Sequence, residues 1–484
     1  MAKEAPWKNR IPSIILLALF YFLFLGSEYL FDNSINYHTD SHGVVIAQSY
    51  ILGVSAIGFL VYPALKYLTG KRSSYFRLLC ILSGFLISIV CYFFINLHPS
   101  YTLTLSAGCG LFLLLGILGS SIHYLCSLLL IQDSLLPAVV GSSYALGVLL
   151  QFISNHFVSN TVISALVLSL SLVLLLFLLT RIRLKHTVRT DAPLKNRILT
   201  THPLRTGLLL AGIIALMTCI FSTLDSEMTL LHASGELNLG SLPRLLLAFS
   251  GICGGILFSK LRERYQNLIM YCVMLFSTVC VILLQTGGSM LISCIIFYLS
   301  AGIFAVYFTV SFMSLSYHTR IPSLWAGLGR AINNLCTVCI SQLTMMLVSS
   351  GNPAVIYMVT IVIFVVTGIA LLVYTVQADT YIAPTAPTVP ASPDSATPSS
   401  TSYHDLHFRQ FSDHFSLTDR EKEVLKVLLT SDEGMQELAG QLYISRTMLY
   451  RHVASLNEKT STKSRISLIQ FYYGWEPENS MTVP

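Results

Sequence analysis

Across its 484 residues the chain is 54% apolar and only 11% charged, whereas soluble domains carry about a quarter charged residues, so a wholly water-soluble protein is excluded. The formal net charge of +6 excludes little by itself, because lysine and arginine serve both to orient membrane proteins and to meet phosphates. The eleven cysteines all fall in apolar stretches between Cys80 and Cys339, which argues against a disulfide framework, and the Cys336-x-x-Cys339 pair has no second pair or nearby histidine, so neither a metal site nor a cofactor is expected.

Taken in order, MAKEAPWKNR precedes an apolar run at 11–31 that is too long for a signal peptide and lacks a small-residue cleavage site; it predicts a first spanning helix. Further apolar stretches of about 20 residues, enough to cross roughly 30 Å of hydrocarbon, lie at 43–65, 75–97, 101–122, 135–156, 160–180, 206–231, 241–259, 267–286, 290–316, 323–349 and 353–376. The longest interruption, Arg181 to Arg205, divides the twelve into halves of about 11–180 and 206–376 within a membrane sensor domain of 1–376. Positive residues accumulate before the first span, between the second and third (Lys66, Lys71, Arg72, Arg77), in the central loop, and after the eighth and tenth spans (Lys260, Arg262, Arg264, Arg320). Lysine and arginine favour the cytoplasmic side, so both termini are expected there, with the chain multi-pass in the cell membrane and its apolar faces against lipid.

Twelve spans in two halves around a basic central loop resemble the major facilitator superfamily of secondary transporters. Gly70, Lys71 and Arg72 match part of that family's loop motif; Leu65 and Lys66 stand where it has an acid and a base, and Gly255 to Arg264 has no aspartate at the matching place. The missing acid belongs to a charge network between the halves of working transporters, and its loss argues against transport. Ionisable residues inside spans are costly and mark function. Glu28 lies in the first span and Asp225 and Glu227 in the seventh, with Ser27-Glu28 and Ser226-Glu227 at matching depths, so they are candidate ligand contacts at the mouth of a central cavity; the alternative is interfacial residues facing water. Arg330, Asn333 and Asn334 share one helical face and are further candidates, with His123, Gln151, Arg244 and Gln342 as possible hydrogen-bonding additions.

From 377 to 412 the chain turns to Pro, Ser, Thr and Ala, a composition that buries too little apolar surface to fold and predicts a disordered linker. Beyond it, at 413–475, Thr418 and Glu421 form a T-x-x-E capping box opening a helix to about Leu429; Met435–Leu442 makes a second helix; Ser445 caps a third from Arg446 to about Lys459; a fourth spans about Lys463 to Tyr473. Leu449, Val453 and Leu456 face the core, which turns Thr447 and Arg451 outward. The series LTDREKEVL, then QELAGQLYIS, then a basic helix with His452 and a Lys463-Ser464-Arg465 step resembles the LuxR-type helix-turn-helix. Met448-Leu449-Tyr450 replaces the family's Thr-Val-Lys, and Thr460-Ser461-Thr462 its Leu-Gly-Val.

The resemblance implies an all-α chain, a major-facilitator-like twelve-helix bundle plus a four-helix LuxR-type head, that is no enzyme but a membrane-bound one-component transcription regulator. Its expected partners are double-stranded DNA, a small molecule and a second copy of itself. Thr447, Tyr450 and Arg451 are expected to read bases, Arg446, Lys459, Lys463 and Arg465 to meet phosphates, and Ser445 to hold the reading helix in place. Family members dimerise through the fourth helix, where Leu468, Ile469, Phe471 and Tyr472 supply apolar surface, and a palindromic operator follows from that symmetry. The alternatives are a working transporter with a regulatory tail and a protein-docking head.

Overall fold

In the computed structural model the described residues are 7–131, 133–158, 160–187, 203–261, 263–349, 353–382, 401–430, 435–442, 444–462 and 464–475, and all their regular structure is helical. The chain divides into two compact units, 1–384 and 385–484. The first holds twelve long helices: α1 (Trp7–Ile35), α2 (Ser41–Gly70), α3 (Ser74–Leu97), α4 (Tyr101–Leu129), α5 (Leu136–Phe157), α6 (Thr161–Thr187), α7 (Pro203–Ala233), α8 (Leu242–Lys260), α9 (Glu263–Gln285), α10 (Met290–Ser316), α11 (Pro322–Ser349) and α12 (Pro353–Ile382).

Among the described residues, eleven helices are long and apolar enough to cross a membrane, and the chain is a multi-pass membrane protein. The twelfth long helix, α11, is not among them; it carries Arg330, Asn333, Asn334, Thr337, Ser341 and Gln342, which lower its hydropathy. Most helices run past the predicted spans because a helix continues through the interface with polar ends, α1 by four residues at each end. Asp40 and Ser100 accept backbone N–H groups at the starts of α2 and α4, satisfying donors that helix geometry leaves orphaned.

The two halves meet where glycine removes the side chain. A methyl carbon at Gly141 on α5 would lie 2.5 Å from the Gly251 carbonyl oxygen and 2.7 Å from the Gly255 Cα on α8, so the two backbones touch. Likewise a carbon at Gly53 on α2 would meet Val338 on α11 at 2.3 Å. At the end where the chain starts, polar contacts tie the first half together and, through Tyr317, join it to the second. Arg10 makes a bidentate pair with Asp133, Nε to Oδ2 and Nη2 to Oδ1 both at 2.8 Å, with both side chains buried. Arg10, expected as one of the positive residues before the first span, is thus committed to an internal contact. Arg183 on α6 donates to the Tyr62 and Ser121 hydroxyls, and the Tyr317 hydroxyl on α10 donates to the carbonyls of Ser127 and Leu130 across the halves.

The second unit comprises α13 (Thr401–His414), α14 (Asp419–Thr430), α15 (Met435–Gln441), α16 (Arg446–Lys459) and α17 (Arg465–Gly474). The last four match the predicted helices closely, whereas α13 lies almost wholly within the stretch expected to be a disordered linker and runs two residues past it, and the first residues of that stretch, to 382, close α12. The rest of that stretch, 383–400, lies outside the described residues. Phe408, Phe411 and Phe415 explain α13: at i, i+3 and i+7 they form one apolar stripe, and Phe411 is fully buried, 4.9 Å from the Tyr472 ring and 5.3 Å from Trp475. The stripe covers α17, so Leu468 and Tyr472, expected at a dimer contact, lie in this unit's own core, while Phe471 and Tyr473 keep exposed area.

Candidate functional site

Two sites emerge, one in each unit. In the membrane unit, helices from both halves line a partly open cavity of about 140 Å³. Its chemistry is divided. Glu28 and Asp32, one turn apart on α1, accept from the same Gln48 amide on α2 at 3.0 and 3.3 Å, and Asp225 on α7 and Arg244 on α8 line the same space. Arg330 on α11 also lines it, its guanidinium 4.9 Å from the Phe308 ring centroid, 5.8 Å from Tyr21 and 5.9 Å from Phe24. Between these groups the wall is aromatic, including the stacked Phe221 and Phe304 at 4.3 Å.

Of the sequence candidates, Glu28, Asp225, Arg330, Asn333 and Asn334 line the cavity, as does Arg244. Glu227 does not; it follows Asp225 by two residues, about 200° around the helix, so the matching Ser-Glu depths misplaced the second acid. Asn334 is also a packing residue, donating to the Ser55 hydroxyl at 2.8 Å, and Asn333 accepts from Thr218 at 3.3 Å. Asp32 and Gln48 were not foreseen. Asp32 lies one residue beyond the predicted span, and its i+4 spacing from Glu28 was the available signal. His123 and Gln151 are buried outside the cavity. His123 sits edge-on to Phe20, Tyr21 and Phe59 with its Nδ1 on the Gly119 carbonyl oxygen at 2.7 Å, and Gln151 donates to the Leu25 carbonyl.

In the second unit, α16 presents the other site. Ser445 caps it, its hydroxyl accepting from the Met448 N–H at 3.3 Å, while Leu449, Val453 and Leu456 are buried. Their burial leaves Arg446, Thr447, Tyr450, Arg451 and Ala454 exposed on the opposite face. Arg446 reaches the Tyr450 hydroxyl at 3.3 Å, one turn on. Lys463 lies outside the described residues, and Arg465 is half-buried at the start of α17.

Lys459 departs from its expected phosphate contact. Its Nζ donates to Glu421 Oε2 at 2.7 Å and to the Ser416 carbonyl at 3.0 Å. Glu421 is buried and also accepts from the Thr418 N–H at 2.8 Å, the Thr418 hydroxyl at 2.9 Å and the Ser455 hydroxyl at 2.7 Å, so the predicted capping box forms and extends to α16. Burial pushes the Glu421 carboxyl up, but the hydrogen bonds from Lys459, Ser455 and Thr418 outweigh it and hold the pKa at about 2. A carboxyl depressed on folding contributes stability that is present above its unfolded value and is lost as pH falls through its folded value. Urea unfolding of a 401–475 fragment, followed by circular dichroism, is therefore expected to show on the order of 2 kcal/mol lost between about pH 4.5 and 2. In Glu421→Gln this pH dependence should be flattened; an unchanged slope would mean that the carboxylate is not the group responsible.

No protein-family profile matches the sequence, and no curated protein matches it. Among solved structures, the human organic anion transporter MFSD10 (TETRAN) is similar in fold, with a TM-score of 0.51 and 13% identity over 76% of this chain and all of that one. The membrane unit thus has a major-facilitator-like fold. At this identity the likeness concerns the fold alone.

Proposed function

We propose that this chain is a membrane-bound transcription regulator in which the membrane unit binds a small molecule and the second unit binds DNA as a helix-turn-helix, with both termini cytoplasmic. The observation that carries the DNA-binding reading is the surface of α16: with its apolar residues in the core, a capped helix offers Arg446, Thr447, Tyr450 and Arg451 together, the donors and the ring that a major-groove reader needs. Lys459 has another task, so phosphate contact falls to Arg446 and Arg465, with Lys463 by its position in the sequence. The head is proposed to dimerise on DNA, with Phe471 and Tyr473 as the exposed apolar residues of α17. Control by the membrane unit then requires a ligand that binds the DNA-competent and incompetent states with different affinity.

A second reading is favoured by the fold likeness, which bears on the membrane unit and supports a secondary carrier with a regulatory tail better than it supports a regulator. The cavity lined from both halves suits either. The DNA-binding proposal is tested by Arg451→Ala: loss of a base contact is expected to cost about 1–3 kcal/mol of specific binding, read as a roughly 5- to 150-fold weaker footprint on the chain's own promoter targets. Thr447→Ala should relax preference at one position. Promoter occupancy unchanged in both variants would favour the carrier reading, and then net flux of a cavity ligand in vesicles should be lost in Glu28→Gln.

A further inference from the structure

The cavity carries unmet polar groups of both signs, and their placement along α1 restricts what can satisfy them. At one pole, Glu28, Asp32 and Asp225 are three carboxylates against Arg244. Gln48 gives its amide to two of them, yet the Asp32 Oδ1 is buried without a hydrogen-bond partner, as is the Nε of Arg244; both residues are more than nine-tenths buried. At the other pole Arg330 lies against the rings of Tyr21, Phe24 and Phe308 and hydrogen-bonds the Tyr21 side chain, while its buried Nε has no hydrogen-bond partner. Buried groups left in this condition are costly unless something supplies the missing bonds.

The poles are separated along a known ruler. Arg330 sits against Tyr21 and Phe24, and Glu28 and Asp32 follow one and two turns after Phe24 on the same helix. At 1.5 Å per residue the carboxylate pole begins roughly 6–10 Å along α1 from the Arg330 pole. We infer that the cavity binds an amphoteric aromatic molecule whose amine meets the Glu28–Asp32–Asp225 cluster and whose anionic group, on the far side of an aromatic spacer, meets Arg330. An α-amino acid is excluded as the best ligand, because its charges are adjacent and cannot reach both poles. The phenyl-lined wall, with Phe221 stacked on Phe304, receives the spacer. The inference rests on the proposed ligand-binding role of the membrane unit and is independent of whether α16 binds DNA.

The test uses the full chain purified in detergent or nanodiscs, with binding followed by calorimetry and three probes: 4-(2-aminoethyl)benzoate, phenethylamine as the amine alone, and 3-phenylpropanoate as the acid alone. The amphoteric probe is expected to bind at least tenfold tighter than either single-charge probe. Arg330→Gln should remove that advantage over phenethylamine while leaving phenethylamine itself unchanged, and Asp32→Asn or Asp225→Asn should weaken both amine-bearing probes and spare phenylpropanoate. Size-exclusion profiles matching the unsubstituted protein keep the variants interpretable. Equal binding of amphoteric and single-charge probes, tighter binding of phenylalanine, or no binding of any probe by the folded protein would overturn the assignment. In each of those cases promoter occupancy, measured separately, still decides the regulator reading.

Discussion

Replacing Glu421 with Ala is expected to remove a large share of the stability of the second unit, a larger effect than any single substitution on its surface. The carboxylate accepts four hydrogen bonds, from the Thr418 N–H and hydroxyl, from Ser455 and from Lys459. Its removal takes away the cap of α14, leaves the Ser455 hydroxyl beside an emptied site, and releases a lysine whose ammonium has no second acid nearby among the contacts it makes. Glu421 is buried but Lys459 keeps 31% of its side chain exposed, so the loss is about 2–3 kcal/mol, below that for breaking a fully buried pair. A unit of this size has a total stability of about 5–10 kcal/mol at most, so the urea midpoint should fall by roughly a quarter or more. Glu421→Gln keeps the volume and part of the hydrogen bonding and should lose less. The check is urea unfolding of the 401–475 fragment for both variants beside Lys459→Met. If Glu421→Ala cost no more than an exposed pair such as Arg420–Glu423, whose side chains are more than half exposed and where the median is about 0–1 kcal/mol, the bridge would not be what joins α14 to α16.

The second large effect is expected at Gly141. A valine there would push its β-carbon into the carbonyl oxygen of Gly251 and the Cα of Gly255. Backbone on a packed helix cannot yield as a flexible side chain does, so α5 and α8 must separate. Overpacking typically costs about 1–3 kcal/mol, and a contact between two main chains belongs at or above the top of that range. Because these helices come from different halves and both line the cavity, the seam beside it should open. Gly141→Val is expected to lower the melting temperature of the purified protein and broaden its size-exclusion peak, while Gly212→Ala, which meets nothing within 4 Å on an exposed part of α7, should leave both unchanged. Equal behaviour of the two variants would contradict the close packing of α5 on α8.

These effects also mark where sequence reasoning reaches its limit. The long helices were legible because the hydrocarbon thickness fixes their length and apolarity, and two helices of the second unit were legible because Thr418 and Ser445 cap them. Helical phase was less so. Whether Asp225 or Glu227 faces the cavity depends on a rotation that a uniformly apolar helix leaves unmarked, since most faces of such a helix read alike. Asp32 was missed because α1 continues beyond the hydrophobic run, and α13 because its phenylalanine stripe follows a stretch whose composition dominated the reading. The bond between Glu421 and Lys459 joins residues 38 apart, and nothing local announces it. It moved Lys459 from the expected phosphate contacts to the framework of the unit.

The regulator proposal requires the exposed face of α16 to contact DNA while the chain is held in a membrane. It is tested most directly by crosslinking the full-length chain to DNA in intact cells and sequencing what is captured, with Arg451→Ala compared at equal membrane abundance. The expected result is a small set of enriched sites sharing a two-fold symmetric sequence, lost or reduced at least fivefold in Arg451→Ala. Abundant, folded protein in the membrane with no enriched site, or with the same sites captured when Arg451 is replaced, would contradict it and leave the carrier reading in its place.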